Sequence, residues 1–449
     1  MAQTNIISLN ESKRESRLDS EYFQKEILST ISKMRKIQHK KLAELCLVKS
    51  GKTPQYYIKN GKTKIIRSGD LNKNLFIDEE ELLKTNENKL FFVQDNDVLI
   101  SSIGRGSIGK INIYSNYNDK AKLATVSEVN ILRNSKINPH YLFIFLRTKF
   151  GQKQIDREIT GATGQQHLLK SNVRKIIIPI PSNKFQNKIQ EIVLKAKDCY
   201  KESKELYNKA KVDLLEEVDL KDYKLEKTLS FTTNYLDLKQ AKRIDADYFQ
   251  PKYNNIITKV EHHSKLEKLG NLVSIKKGIE VGSNEYQESG IPFIRVSNIS
   301  ELEINSEDQK YITNELYSKL QKKFSPKQGE ILLTKDASIG ISFLLNETKS
   351  IIVSSGILRL KVNEKINPVY LNSVLNSLFL QLQIERDGGG SVIRHWKYSK
   401  VKEVSIPLIP REKQQKIADL VERALNLRKS AKELLEQAKK EVEDFIEKA

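Results

Sequence analysis

Gly104-Arg105-Gly106-Ser107-Ile108-Gly109 has the spacing of a dinucleotide-binding turn. In such a turn the glycines let the backbone approach a pyrophosphate at the start of a helix. Here Lys110-Ile111-Asn112-Ile113-Tyr114 follows instead, and its alternation predicts a strand. The segment therefore predicts a tight turn that presents Arg105 and Lys110. Asn138-Pro139-His140-Tyr141 and Asn367-Pro368-Val369-Tyr370 approach the Asn-Pro-Pro-Tyr with which amino-methyltransferases hold a target amine. Both lack the second proline, and no glycine-rich site for S-adenosylmethionine precedes them. An Asn before a Pro at the head of an apolar run is a helix start, with Asn as cap and Pro in the first turn. His262-His263 lies in a polar linker, and His167 and His395 follow glycine-rich segments without clustered partners. That spacing predicts no metal site. No Ser-His-Asp or P-loop pattern is present either, so the chemistry to expect is binding.

Binding of a polyanion fits the charge. The 449 residues carry 77 Lys+Arg against 57 Asp+Glu, a formal charge of +20. The Lys, Asn and Ile usage of an AT-rich genome would give a similar excess. Base edges are read by paired hydrogen bonds, from Arg or Lys to guanine and from Asn or Gln to adenine. Phosphates need positive charge and backbone amides. Candidate contacts in the first half are Arg67, Arg105, Lys110, Gln165, Gln166, His167 and Arg174. In the second half they are Arg295, Asn298, Lys335, Arg394, His395, Trp396 and Lys397. No apolar run reaches the ~18 residues of a membrane span. Met1 to Lys25 lacks a signal-peptide core. Cys46 and Cys199 form no disulfide framework, so a cytoplasmic, reducing location is expected.

These residues come in two sets because the chain is written twice, at an offset of about 226 to 232, far longer than a solenoid repeat. Arg17-Leu18-Asp19-Ser20-Glu21-Tyr22-Phe23-Gln24 returns as Arg243-Ile244-Asp245-Ala246-Asp247-Tyr248-Phe249-Gln250. Ile66-Arg67-Ser68 returns as Ile294-Arg295-Val296, and Ser107-Ile108-Gly109 as Ser338-Ile339-Gly340. Each copy reads as a mixed domain of short strands, including 64–67, 98–101 and 176–180, then 293–296, 331–334 and 404–408. Each ends at an Ile-Pro exit, Ile178-Pro179 or Ile406-Pro407, that leads into a long helix. Ile189, Ile192, Ala196, Cys199, Leu206 and Ala210 share a 3-4 spacing with Ile417, Leu420, Ala424, Leu427, Ala431, Leu434 and Ala438. That spacing predicts a helix–helix seam. Connectivity makes the pair antiparallel, and each helix spans ~50 Å at 1.5 Å per residue. That is the scale of more than one ~34 Å turn of B-DNA.

The duplicated order resembles the specificity subunit of type I restriction-modification systems. The resemblance rests on the Arg-x-Asp-x-(Glu/Asp)-Tyr-Phe segments and the Ile-Pro exits. It rests also on Asp97-Val98-Leu99 and Gly329-Glu330-Ile331-Leu332 before Ser-Ile-Gly, and on Arg411-Glu412-Lys413-Gln414-Gln415, close to the family's Pro-x-x-Glu-Gln. Ser182-Asn183-Lys184-Phe185-Gln186 lacks the Glu.

The resemblance implies an α+β fold. Two similar target recognition domains would be separated by two long antiparallel helices forming a coiled coil, a pseudo-two-fold internal repeat. The segments are 1–182 for the first domain, 183–220 for the first spacer helix, 221–409 for the linker and second domain, and 410–449 for the second helix. It also implies that each domain reads one half of a bipartite, asymmetric DNA site. The helices would dock two methylation subunits, and two restriction subunits would join. This chain would hold no cofactor and have no catalytic activity alone; S-adenosylmethionine, ATP and Mg2+ would belong to the partners. Competing readings are a methylation-only or other defence system with the same kind of subunit, an enzyme with its own site, and a coiled-coil scaffold that does not bind DNA.

Overall fold

The computed structural model describes residues 7, 12–13, 17, 19–20, 22–71, 75–104, 106–115, 122–161, 166–225, 228–306, 308–388 and 395–448. The chain forms two compact units, 1–202 with 427–449, and 203–426. The division falls within both long helices, so each unit contains a mixed domain and one half of each helix.

In the first unit, β1 (His39–Lys41) pairs antiparallel with β9 (Ile177–Pro179). An antiparallel sheet has the order β2 (Leu47–Ser50), β8 (Val129–Arg133), β5 (Val98–Ser101), β6 (Ile111–Ile113). A smaller sheet has the order β4 (Leu83–Thr85), β3 (Thr63–Ile66), β7 (Lys122–Thr125), with β3 and β7 parallel. The longer helices are α1 (Lys25–Arg35), α2 (Pro139–Arg147), α3 (Lys149–Glu158) and α4 (Asn183–Glu217).

The second unit repeats this connectivity strand for strand. β10 (Lys265–Lys268) pairs with β18 (Ser405–Leu408). The larger sheet runs β11 (Val273–Lys277), β17 (Ile357–Val362), β14 (Glu330–Thr334), β15 (Ser342–Leu344). The smaller runs β13 (Lys310–Ile312), β12 (Ile291–Ile294), β16 (Ile352–Val353). Its longer helices are α5 (Pro251–Glu261), α6 (Asn314–Phe324), α7 (Pro368–Leu375), α8 (Leu378–Gly388) and α9 (Arg411–Lys448). The fold is α+β, with an internal repeat.

The central strands are continuous apolar runs because both of their faces are covered. Successive side chains alternate across a strand. Val98 and Ile100 of β5 enter the core beneath the helices, while Leu99 enters the core shared with the smaller sheet. In β14, Ile331 and Leu333 face the helices and Leu332 faces the smaller sheet.

The Asn-Pro-x-Tyr segments tie each long helix to its domain. Asn138 Oδ1 accepts from the His140 and Tyr141 amides, and Asn367 Oδ1 from those of Val369 and Tyr370. The Tyr141 and Tyr370 hydroxyls donate to the carbonyls of Pro179 and Pro407 at 2.9 and 3.0 Å. Gln186 of α4 accepts from the Asn138 amide and donates to the Pro181 carbonyl. Gln414 of α9 does the same with the Asn367 amide and the Ile409 carbonyl. These polar groups are satisfied locally, as buried groups must be.

Within each unit the two helix halves run antiparallel. In the first, the Phe185 and Phe445 rings lie 5.1 Å apart, Lys188 pairs with Glu441 at 2.6 Å, and Arg428 caps the Tyr200 ring. In the second, Ser203 Oγ donates to the Ala424 carbonyl at 2.6 Å and Lys413 pairs with Glu217. Of the seam residues, Ile189, Ala196, Ala210, Ile417, Ala424, Ala431 and Ala438 are buried. Ile192, Cys199, Leu206, Leu420, Leu427 and Leu434 are only half-buried. The second buried line instead runs one residue later, through Val193, Tyr200, Tyr207 and Leu214, and through Val421, Leu435 and Val442. Each half-helix covers its own mixed domain as well as its partner helix, so the apolar face is broader than a two-helix seam and its centre is rotated.

Candidate nucleic-acid interface

In each copy, backbone hydrogen bonds gather the strand ends into one cluster of loops. In the first unit the Val126 amide donates to the Ile66 carbonyl at 3.1 Å, Ser102 to Glu128 at 2.8 Å, and Leu168 to Ser102 at 2.8 Å. In the second the Ser354 amide donates to Ile294 at 2.8 Å, Lys335 to Gly356 at 2.9 Å, and Trp396 to Lys335 at 2.8 Å. The exit of the smaller sheet, the turn after the central strand and the late loop are thus tied in the same order twice. The crossing is tight. A Cβ on Gly51 would lie 2.3 Å from the Val126 carbonyl oxygen, and one on Gly278 2.1 Å from that of Ser354.

Arg67 and Arg295 sit just beyond strands β3 and β12, one residue past their ends, because the chain turns there into a single 3-10 turn. Asp70 and Asn298 cap those turns by accepting from the arginine amides at 2.8 and 2.9 Å. Asp70 also takes the Arg67 guanidinium as a two-pronged fork, Nε at 3.1 Å and Nη2 at 2.9 Å. These hydrogen bonds hold the Arg67 pKa above its usual value. Arg295 is held by a different acid, Asp308, at 2.9 Å.

Two histidines enter the cluster at matching places. His167 bridges to Ile103 and Thr160 through its backbone, and His395 to Asp336. The His395 ring also contacts Asp336, Nδ1 to Oδ1 at 2.9 Å, while Lys335 Nζ holds Oδ2 at 2.6 Å. Partial burial opposes ionisation of Asp336, but the hydrogen bonds from Lys335 and His395 outweigh it and keep its carboxyl below the usual range.

Seven candidate contacts fall elsewhere or outside the described residues. Arg105, Gln165 and Arg394 lie outside the described residues. Lys110, Asn298 and Trp396 are 3%, 0% and 2% exposed and do not face a ligand. Asn298 is spent on its turn, where Nδ2 donates to the Asn305 carbonyl at 3.0 Å. Trp396 packs in the helix-side core, with Nε1 3.4 Å from Asp387. Gln166 and Lys397 are exposed, and His167 is half-buried. Arg174 is exposed but sits beside Ala43 ahead of β9, away from the tied loop ends. The residues that sequence reasoning missed are the acids, Asp70, Asp308 and Asp336. The three-residue spacing from Arg67 to Asp70 is a capping signal that could have found the first.

No group of three or more His, Cys, Asp or Glu among the described residues is placed to hold a metal ion. No helix among them is long and apolar enough to cross a membrane.

The sequence profile of the type I restriction modification DNA specificity domain matches residues 34–212 and again 262–442. The chain belongs to this family. Each specificity domain takes in one mixed domain and most of the long helix that follows it.

A putative type I restriction enzyme specificity subunit of Haemophilus influenzae is 25% identical over 207 residues, 45% of this chain and 50% of that protein. The match thus spans half the length of that relative. The MjaVIII specificity subunit of Methanocaldococcus jannaschii is 22% identical over 397 residues, 86% of this chain and 84% of that one. The crystal structure of the S subunit from M. genitalium aligns over 91% of this chain and 94% of its own, at 14% identity and a TM-score of 0.42.

Proposed function

We propose that this type I specificity subunit reads a bipartite, asymmetric DNA site, one half with each domain. The observation that carries the reading is the loop cluster built twice on one backbone plan with different side chains at its tips. Ser102 and Ile103 stand where the second copy has Lys335 and Asp336. Two scaffolds of one kind with unlike tips suit two unlike half-sites. The net charge of +20 supplies the sequence-independent attraction. On this reading Arg67 and Arg295, present in both copies, position the duplex through phosphates. The tips that differ, with Lys335, Asp336 and Gln166 among them, face base edges.

The long helices fix the gap between the half-sites and dock two methylation subunits, to which two restriction subunits are added. The chain does no chemistry alone; S-adenosylmethionine, ATP and Mg2+ act in the partners, in the cytoplasm. A methylation-only system would use the same chain and differ only in its partners.

The test is a methylome, by single-molecule sequencing, of cells that express this chain with its neighbouring methyltransferase gene. A bipartite adenine-methylated motif that disappears on deletion of this gene is the expected outcome. Methylation unchanged by the deletion would remove the reading.

A further inference from the structure

The two units contain the same cavity with different charge. Its wall in each copy includes a tyrosine whose ring contacts two arginines. Arg17 and Arg157 lie 4.5 and 3.7 Å from the Tyr22 ring centroid, and Arg243 and Arg386 lie 4.6 and 4.7 Å from that of Tyr248. The first cavity has a volume of about 110 Å3 and the second about 160 Å3. Either is large enough for a few waters or one tetrahedral oxyanion. Among the described residues that line the first stand Arg35, Lys41, Arg157 and Lys175 against the carboxylate of Glu158. Around the second, Arg386 and Lys400 are balanced by Asp387 and Glu403. Lys175 and Glu403 occupy matching places, each ahead of the last strand of its domain.

We propose that the cavity of the first unit binds a phosphate-like oxyanion and that its counterpart in the second does not. Like charges converging on a concave site raise the local potential and favour a counter-ion. Arg157 is already oriented, because its Nε donates to the Tyr22 carbonyl at 3.1 Å while its face stacks on the ring. Lys175 lies 4.0 Å from Glu158, a loose contact, and its side chain is half exposed. It can turn toward an anion without breaking a close hydrogen bond to that carboxylate. The oxyanion is either free in solution or a phosphate of the DNA backbone. The inference does not depend on sequence reading, because inorganic phosphate alone is the probe.

Titration of the full-length chain with inorganic phosphate, at ionic strength held constant with chloride, should give one saturable site by calorimetry. Lys175→Glu, which installs the residue of the second copy, should weaken that site at least tenfold. Glu403→Lys should create a second site in a chain whose first remains. Absence of saturable binding in the unmodified chain would overturn the proposal, as would unchanged binding in a folded Lys175→Glu variant. The salt dependence of duplex affinity separates the two sources. A backbone phosphate predicts that Lys175→Glu lowers the slope of log affinity against log salt by about one. A free ion predicts an unchanged slope with phosphate binding lost.

Discussion

Arg359 clasps Glu330 inside the second unit, Nε to Oε2 at 2.8 Å and Nη2 to Oε1 at 3.1 Å, with the two side chains 2% and 8% exposed. A third donor, Nη1, reaches the Lys323 carbonyl at 2.8 Å, so the pair also fixes the end of α6. The first unit holds a carboxylate at the same place, Asp97, just ahead of its central strand. Its arginine, Arg133, comes from a position two residues further along the partner strand, on the same face. The charge pair has thus been kept while the residue supplying the cation differs. Removing one partner of such a pair leaves a buried charge, at a cost of about 3–5 kcal/mol. Arg359→Met should lower unfolding free energy by that amount in denaturant titration. The double variant with Glu330→Leu should recover much of it.

His140 points its ring into the first unit's core, where the second copy has Val369. Among the described residues neither ring nitrogen has a hydrogen-bond partner, and burial, aided by Lys197, lowers its pKa to about 4. The folded value lies below the unfolded ~6.5, so the neutral ring favours folding above pH ~6.5. That stability is lost as pH falls from about 6.5 toward 4. His140→Val should raise stability at neutral pH by about 1 kcal/mol. It should also flatten this acid limb, read by thermal melts between pH 4.5 and 7.5.

Burial ranks the positions along α9. Leu435 is buried and Leu427 half-buried. Leu435→Lys should cost about 3 kcal/mol or more, whereas Leu427→Lys, whose long stem can reach water, should cost about 1 kcal/mol. Equal losses in urea unfolding would mean that the helix buries a different face.

Gln186 and Gln414 each satisfy an amide and a carbonyl at a helix root. Replacing either with Leu strands both groups and should cost about 1–3 kcal/mol. Amide exchange near Asn138 or Asn367, respectively, should accelerate in the same variant and stay unchanged in the other unit.

On the proposed function, Arg67→Ala should weaken duplex binding about equally for all sequences and lower the salt slope by about one. Lys335→Ala, at the place where the first copy has Ser102, should instead relax the methylated motif within one half-site only. Either effect is read by fluorescence anisotropy together with the methylome.

The duplication, the Ile-Pro exits, the long helices and the asparagine caps were legible in the sequence because each is local. A cap needs only its own next three residues, and a helix only its own periodicity. The continuous apolar runs at Val98–Ile100 and Ile331–Leu333 marked central strands for the same reason. The order of the strands in each sheet, and the side to which each residue of a central strand turns, required the tertiary structure.

So did the fate of single side chains. Lys110, Asn298 and Trp396 have the chemistry of readers but are buried, which their residue types do not reveal. Periodicity alone gave a seam through Leu427 and Leu434, and packing against the mixed domains turned the buried line to Leu435. The acids that hold Arg67, Arg295 and His395 lie 3, 13 and 59 residues away in sequence. Sequence determined which segments exist and that they occur twice. Only folding decided which charges meet, since an ion pair depends on distance through space and not along the chain.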